Sequence, residues 1–206
     1  MELVALILAA GKGTRMKSKQ PKLLHQVAGK PIIEHVAAAV SSAGIKRITL
    51  VLGHGREEIQ ALFSGRKDIS YAVQEEQLGT GHAMLQAREH YSGAERILVL
   101  AGDTPLLRAS TLLDFVGRYT EWAGEAAVLS TRVADPSGYG RVLRDSAGRL
   151  LKIVEEKDAD AAAKTVNEIN SGIYCFAAAE VFAALVDRRV KPALECADKV
   201  PCLRNF

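Results

Sequence analysis

The sequence has little net charge, few cysteines and no long apolar run, and each shortage excludes a class of protein. A formal net charge of +3 over 206 residues is too small to indicate a nucleic-acid or membrane partner. Three widely spaced cysteines argue against a disulfide framework or a metal knuckle. The apolar runs are far too short to span a bilayer, and the first residues lack the regions of a secretory signal. We therefore expect a cytoplasmic protein with reduced cysteines.

What the sequence does contain is typical of one sizeable α/β domain, with 48% hydrophobic and 25% charged residues. Continuous apolar runs at residues 3–8 and 97–101 indicate strands buried on both faces of a parallel sheet, and residues 47–52 predict a further strand. Segments with helical spacing alternate with these runs, one of them beginning at Pro31, a favoured first helical residue, and another over residues 80–91. Later, residues 141–143 and 150–154 flank a turn and predict a hairpin. The prediction is a Rossmann-like, doubly wound α/β fold whose mainly parallel open sheet is mixed in its C-terminal half.

Ligands of such folds bind at the carboxyl ends of the strands, where this sequence places glycines and cations. The first apolar run leads into a loop with Gly11, Gly13 and Arg15, and Lys22 follows. The loop lacks the spacing of a Walker loop, and Met16 stands where a dinucleotide fingerprint needs its third glycine. Two interpretations remain. One is a basic loop that wraps a triphosphate, which Arg15 and Lys22 favour, and the other is a tight turn with solvated cations.

Asp103 comes directly after the apolar run 97–101 and Gly102. A carboxylate at the end of a buried strand is a hard oxygen ligand of the kind that Mg²⁺ prefers, together with phosphates and water. The alternative is an aspartate that caps the helix beginning near Ser110 or forms the turn before Pro105. We favour the metal, because the edge of a parallel sheet is where such sites lie.

A third candidate segment combines Gln74 with Gly79 and Thr80. Residues 79–81 would present free amides at the start of a helix, which attract anions or carbonyl oxygens. The planar amide of Gln74 offers a donor and an acceptor that suit the edge of a pyrimidine. The alternative is an ordinary helix cap by Thr80. His82 is expected to be a packing or capping residue and not a general base.

Seven segments in this order resemble a known family, the N-terminal uridylyltransferase domain of bacterial bifunctional N-acetylglucosamine-1-phosphate uridylyltransferase/glucosamine-1-phosphate acetyltransferases. The stretch 77–83 together with 138–141 is the most specific part, whereas the first segment marks only the wider sugar nucleotidyltransferase superfamily. The segments are LAAGKGTRM at 8–16, PKLLH at 21–25, QLGTGHA at 77–83, GDTPL at 102–106, GYGR at 138–141, IVEEK at 153–157 and INSGI at 169–173.

The resemblance implies a Mg²⁺-dependent enzyme that forms UDP-N-acetylglucosamine and pyrophosphate from UTP and N-acetylglucosamine 1-phosphate. Without it, Glu155 would be interpreted as a solvated residue at a strand end and Asn170 as a turn residue before Gly172. Combined with the residue patterns above, it gives these candidates: for catalysis Arg15, Lys22 and Asp103; for the nucleotide Leu8, Ala9, Ala10, Gly11, Gly13, Lys22, Gln74, Gly79, Thr80 and Gly102; for Mg²⁺ Asp103; and for the sugar Gly140, Glu155 and Asn170.

The end of the sequence departs from the family pattern. Residues 193–206 do not resemble it, the asparagine that family members supply as a second Mg²⁺ ligand is not recognisable, and the acetyltransferase part is absent. We therefore expect a nucleotidyltransferase domain at residues 1–190 without its last elements, a divergent tail at 191–206, and a monomer, since the family trimerises through the absent part. Two alternatives stay open: a nucleotide-binding fragment with little turnover, and an enzyme of other base or sugar specificity.

Overall fold

The first part of the chain alternates strands and helices, as predicted. The computed structural model describes residues 2–11, 13, 16, 18, 20–122 and 124–186. Up to Trp122 its elements are β1 (Leu3–Ala9), β2 (Gln26–Val27), β3 (Lys30–Pro31), α1 (Ile32–Ser42), β4 (Arg47–Leu52), α2 (Arg56–Leu62), β5 (Ile69–Val73), α3 (Thr80–Gln86), β6 (Arg96–Ala101) and α4 (Ala109–Trp122), with 3₁₀ turns at Lys22–Leu24 and Arg88–Tyr91.

Four of these strands form a parallel sheet in the order β5, β4, β1, β6. The two inner strands carry apolar residues on both faces because helices cover both sides of the sheet. Ile7 and Leu50 belong to the core on one face, and Leu6 and Val51 to the core on the other. All four of these side chains are fully buried. The continuous apolar runs of the sequence therefore correspond to the central strands.

The second part of the chain changes the direction of the strands. Its elements are β7 (Ala126–Arg132), β8 (Arg141–Arg144), β9 (Leu150–Val154), a 3₁₀ turn (Glu156–Asp158), α5 (Ala161–Lys164), β10 (Glu168–Ala177) and α6 (Ala178–Val186). Strand β10 runs antiparallel to β6 on one side and to β7 on the other, and β8 and β9 form the expected antiparallel hairpin. The predicted mixed sheet is therefore confirmed.

Two details differ from the sequence-based expectations, and a third, on strand pairing, adds to them. Pro31 is not the first helical residue: its ψ of 142° is extended and it pairs with Gln26 across β2 and β3, so the helix begins at Ile32. The helix expected over residues 80–91 ends at Gln86 and continues as a 3₁₀ turn. Strand β7 does not pair with β6, since β10 lies between them.

Within the described residues, no helix has both the length and the apolar composition to cross a bilayer. The divergent tail at 191–206 lies outside these residues, as does the C-terminal end of the proposed domain beyond Val186.

Candidate functional site

The carboxyl ends of β1, β4 and β6 meet at one edge of the sheet, and their backbones are in direct contact there. The amide of Gly102 donates a hydrogen bond of 2.9 Å to the carbonyl oxygen of Leu8. A Cβ atom on Gly102 would lie 3.0 Å from that oxygen, and one on Gly53 would lie 2.8 Å from the carbonyl oxygen of Ala10. Glycine at both positions therefore lets the strand ends approach each other without side chains between them.

The loop after β1 lies against the segment that carries Lys22. Gly13 has a φ of +58°, a conformation that favours glycine, and a Cβ atom there would stand 2.7 Å from Cβ of Lys22. Ala9 and Ala10 are buried at the end of β1, whereas Gly11 is exposed. Arg15, the third predicted catalytic residue, lies outside the described residues.

The other two predicted catalytic residues, Lys22 and Asp103, form an ion pair. The ammonium group of Lys22 donates to Oδ2 of Asp103, and the two side chains are 29% and 38% exposed. Lys22 begins a 3₁₀ turn that is anchored by the buried side chain of Leu23, and Asp103 follows β6. Two residues that are 81 positions apart in the sequence are thus in contact at the predicted ligand edge of the sheet.

The side chains of this ion pair could hold Mg²⁺ through one carboxylate, that of Asp103. Among the described residues there is no group of three or more histidines, cysteines or carboxylates that could hold a metal ion. Asp103 offers hard oxygen atoms, and its carboxylate is ion-paired with the ammonium group of Lys22. A magnesium ion here would be held by this single protein carboxylate and would take its remaining ligands from phosphates and water, which is a common arrangement for this ion.

The predicted base-reading residue, Gln74, is buried and its amide orientation is fixed. Its backbone amide donates to Leu52 at 2.8 Å, which extends the pairing of β5 with β4. Its side-chain nitrogen lies 3.2 Å from the carbonyl oxygen of Gly79 and 3.0 Å from Nδ1 of His82. Since a carbonyl oxygen can only accept, the amide nitrogen must face Gly79, and the other side of the amide is its acceptor oxygen.

The start of α3 differs from the capping that the sequence suggested as an alternative. Gly79 precedes the helix with a φ of 96°, and no side chain caps it, so Thr80 does not act as the cap. His82 contacts two glutamine side chains through its ring. Both of its ring nitrogens lie near side-chain amides, Nδ1 near Gln74 and Nε2 near Gln86.

The three residues predicted to hold the sugar come together where β8, β9 and β10 meet. The backbone amide of Asn170 donates a hydrogen bond of 2.9 Å to the carbonyl oxygen of Gly140. A Cβ atom on Gly140 would lie 3.1 Å from Oε1 of Glu155, so this glycine leaves room for the carboxylate. Because β10 is antiparallel to β6, its first half reaches the carboxyl end of β6, and Gly172 lies 4.0 Å from Ala101 by the same measure. The segment of β10 that follows Asn170 therefore reaches the strand end that Asp103 follows.

One charged residue that the sequence analysis quoted only as part of a motif supports this group. The side chain of Arg141 is 2% exposed and its guanidinium lies 2.7 Å from Oε2 of Glu156, the neighbour of Glu155. The same carboxylate accepts from the amide of Gly138 at 3.2 Å. The Arg141 hydrogen bond, followed by the Gly138 bond, keeps the pKa of Glu156 below its ordinary value. This contact holds the turn before β8 against the segment that carries Glu155.

The sequence of this chain is similar to those of known proteins. Residues 5–171 match the family described as MobA-like NTP transferase domain. The chain is 54% identical over 185 residues to a protein of Syntrophomonas wolfei subsp. wolfei named bifunctional protein GlmU, and 50% identical over 194 residues to a protein of the same name from Pelotomaculum thermopropionicum. These alignments cover 90% and 94% of the chain but only 41% and 42% of the relatives.

The fold also matches solved structures whose sequences are much less similar. A putative glucose-1-phosphate thymidylyltransferase from Bacillus anthracis superposes with a TM-score of 0.78 at 19% identity, covering 95% of this chain and 80% of that one. A UDP-glucose pyrophosphorylase complexed with UDP-glucose superposes with a TM-score of 0.73 at 21% identity, covering 97% and 83%. These matches confirm the predicted α/β fold with its mixed sheet, which is the sugar nucleotidyltransferase fold, and the curated relatives confirm the resemblance seen in the motifs.

Proposed function

We propose a function for this chain from the premise that it belongs to the family of MobA-like NTP transferase domains. It is a sugar nucleotidyltransferase related to GlmU proteins. The finer proposal is that it forms UDP-N-acetylglucosamine and pyrophosphate from UTP and N-acetylglucosamine 1-phosphate in the presence of Mg²⁺. The observation that supports this proposal lies at the carboxyl end of β6, where Lys22 pairs with Asp103 and where Gly172, two residues after Asn170, reaches Ala101.

The chemistry requires alignment and charge neutralisation, and no covalent nucleophile. A phosphate oxygen of the sugar phosphate attacks the α-phosphorus of UTP, and the bond to the leaving pyrophosphate breaks in line with it. Lys22, and Arg15 by proposal, would bind phosphate oxygens and stabilise the charge that shifts toward the pyrophosphate. Mg²⁺ held by Asp103 would supply further neutralisation of the triphosphate.

The orientation of Gln74 supports uracil as the base. Its nitrogen is directed to Gly79 and His82, so the atom that remains to read a base is the acceptor oxygen. Uracil carries a donor at N3, whereas N3 of cytosine is an acceptor. An acceptor in the protein therefore pairs with the first and repels the second.

The alternative is a nucleotide-binding module with little turnover. The chain spans about 40% of the length of the curated relatives that it matches. A single carboxylate at the metal position, within the residues that the structure describes, is consistent with either function.

A pyrophosphate-release assay separates these possibilities. We expect turnover with UTP, N-acetylglucosamine 1-phosphate and Mg²⁺, and a loss of at least about tenfold in kcat/KM when CTP or glucose 1-phosphate replaces its counterpart. Binding of UTP in calorimetry without turnover would replace the proposal by the binding module. Turnover that prefers another base or sugar would retain the family but change the specificity.

The Lys22–Asp103 pair leads to a second prediction, on metal binding. Lys22→Met should increase the affinity of the nucleotide-free protein for Mn²⁺ about fivefold, because the ammonium group no longer competes for the carboxylate. The same variant should reduce turnover by about a hundredfold, since a charge that neutralises phosphate is lost. Electron paramagnetic resonance of free Mn²⁺ measures the first effect. Lys30→Met, an exposed lysine of β3, is the control and should change neither. An unchanged Mn²⁺ affinity in Lys22→Met would contradict the metal position.

A further inference from the structure

Tyr174 lies in the middle of β10 and was not among the site residues predicted from the sequence. Its ring packs on the small apolar cluster of Val128, Val142 and Leu150, under the β8–β9 hairpin. It also stacks on Phe176, with ring centroids 5.8 Å apart and an angle of 19° between the planes. Its ring is therefore held by packing on both sides, and its hydroxyl group has a defined position.

A bulge in β10 brings Asn170 to that hydroxyl group. Asn170 lies opposite Ser130 of β7 and Tyr174 lies opposite Val128, so four steps along β10 correspond to only two along β7. The two extra residues are Ser171 and Gly172, and Gly172 has a φ of +75°. Side chains two register positions apart point to the same face of a sheet and lie about 7 Å apart. Without the bulge, Asn170 would be about 13 Å away.

The hydrogen bonds at the bulge fix the direction of the Asn170 amide. The backbone amide of Gly172 donates to Oδ1 of Asn170 at 3.0 Å. Nδ2 of Asn170 donates to the hydroxyl oxygen of Tyr174 at 2.7 Å. A backbone N–H can only donate, so Oδ1 must face Gly172. One hydrogen on Nδ2 and one lone pair on Oδ1 remain for a ligand, in positions that Tyr174 and Gly172 define together.

Tyr174 keeps this role over a wide pH range. Burial, with a further contribution from the nearby charge of Glu155, raises the pKa of Tyr174 to about 12, although the Asn170 hydrogen bond lowers it. The group is therefore a neutral hydroxyl at physiological pH. It accepts from Asn170 through its oxygen and has its own proton to donate.

We propose that Tyr174 is a positioning residue for sugar specificity: by holding the amide of Asn170 in one orientation, it lets this site distinguish sugar 1-phosphates that carry an acetamido group from those that carry a hydroxyl group. The inference rests on the proposed function, in which Asn170 contacts the sugar. A rigid, correctly oriented amide discriminates between ligands because no binding energy is lost in ordering it.

Tyr174→Phe removes the hydroxyl group and retains the ring. We expect KM for N-acetylglucosamine 1-phosphate to rise about five- to tenfold, the scale of one lost hydrogen bond, with KM for UTP unchanged. The ratio of kcat/KM for N-acetylglucosamine 1-phosphate to that for glucose 1-phosphate should fall by the same factor. The fall should be the same at pH 7 and at pH 9. Tyr91→Phe is the matched control, since Tyr91 is also a buried tyrosine and its hydroxyl has no hydrogen-bond partner among the described residues. It should leave all of these values unchanged.

A double-variant cycle tests whether Tyr174 acts through Asn170. In an Asn170→Ala background, Tyr174→Phe should have no further effect on KM or preference, whereas independent effects would multiply. If the wild-type protein shows no turnover, the same comparison is made on dissociation constants for the two sugar phosphates. A wild-type protein that binds neither sugar phosphate overturns the proposed function and this inference with it. If the wild-type protein distinguishes the two sugar phosphates and the Tyr174→Phe variant distinguishes them equally well, this inference alone is overturned.

Discussion

Asp103→Ala is expected to lower turnover with UTP and N-acetylglucosamine 1-phosphate by a hundredfold or more. Asp103 stands at the carboxyl end of β6 and is paired with Lys22, in the position where charge on the triphosphate must be neutralised. Removing one charge-stabilising group from a preorganised site typically costs two to three orders of magnitude in rate. The carboxylate is also the protein's proposed anchor for Mg²⁺, so its loss should raise the Mg²⁺ concentration needed for half-maximal rate.

Two further variants make this test specific. Asp103→Asn keeps the shape of the side chain but removes its charge, so it should lose nearly as much activity as the alanine variant. Asp68→Ala is the control, because Asp68 is 32% exposed and ion-paired with Arg66, but it lies before β5 at the opposite edge of the sheet. It should retain activity. If Asp103→Ala turns over at the wild-type rate, Asp103 is not the metal anchor.

Glu168→Gln is expected to destabilise the fold by about 3 kcal/mol at pH 7, because it leaves the guanidinium group of Arg144, which is 15% exposed, without its counter-charge. The side chain of Glu168 is 8% exposed. It accepts from Nε of Arg144 at 2.8 Å and from the hydroxyl group of Ser130 at 2.6 Å. It joins β10 to β7 and β8 only two residues before Asn170. Urea unfolding of the two proteins at pH 7 measures the difference.

The ion pair of Glu168 with Arg144 makes the stability difference between wild type and Glu168→Gln depend on pH. Burial raises the pKa of Glu168, but the hydrogen bonds from Arg144 and Ser130 outweigh it, and the pKa lies below its ordinary value. A group whose pKa is lower in the folded state stabilises the protein above the pKa of the unfolded state and loses that contribution as the pH falls through the folded value. The gap between wild type and Glu168→Gln should therefore shrink as the pH is lowered from 5 toward 3. Glu57→Gln, in an exposed pair with Arg56, should show little difference at either pH. A gap that stays constant with pH would contradict the role of the Glu168 charge.

Local patterns were sufficient to predict most elements and the edge that carries the site. A strand that is buried on both faces is mostly apolar, so β1 and β6 could be located from their continuous apolar runs. The hairpin of β8 and β9 followed from two short runs around a turn. Gly13 and Gly102 were recognisable because glycine is required where the backbone turns sharply or strand ends meet closely.

Contacts between distant parts of the chain could not be predicted in the same way. The insertion of β10 between β6 and β7 depends on which strands pair, and apolar runs do not encode their neighbours. Tyr174 was missed because a tyrosine within an apolar strand has no sequence signal for what its hydroxyl group contacts. Asn170 and Tyr174 are close enough to form a hydrogen bond only because of the bulge at residues 171–172.

The sequence by itself determined the α/β class, the parallel strands and the collection of glycines and charged residues after them, because helix and strand periodicities and backbone requirements are local properties of the chain. The tertiary structure alone decided that Lys22 meets Asp103 across 81 positions, that the side-chain nitrogen of Gln74 faces Gly79, and that Gly140 lies against Glu155. These contacts depend on strand order and register, which are set by the packing of the whole sheet and not by any single segment.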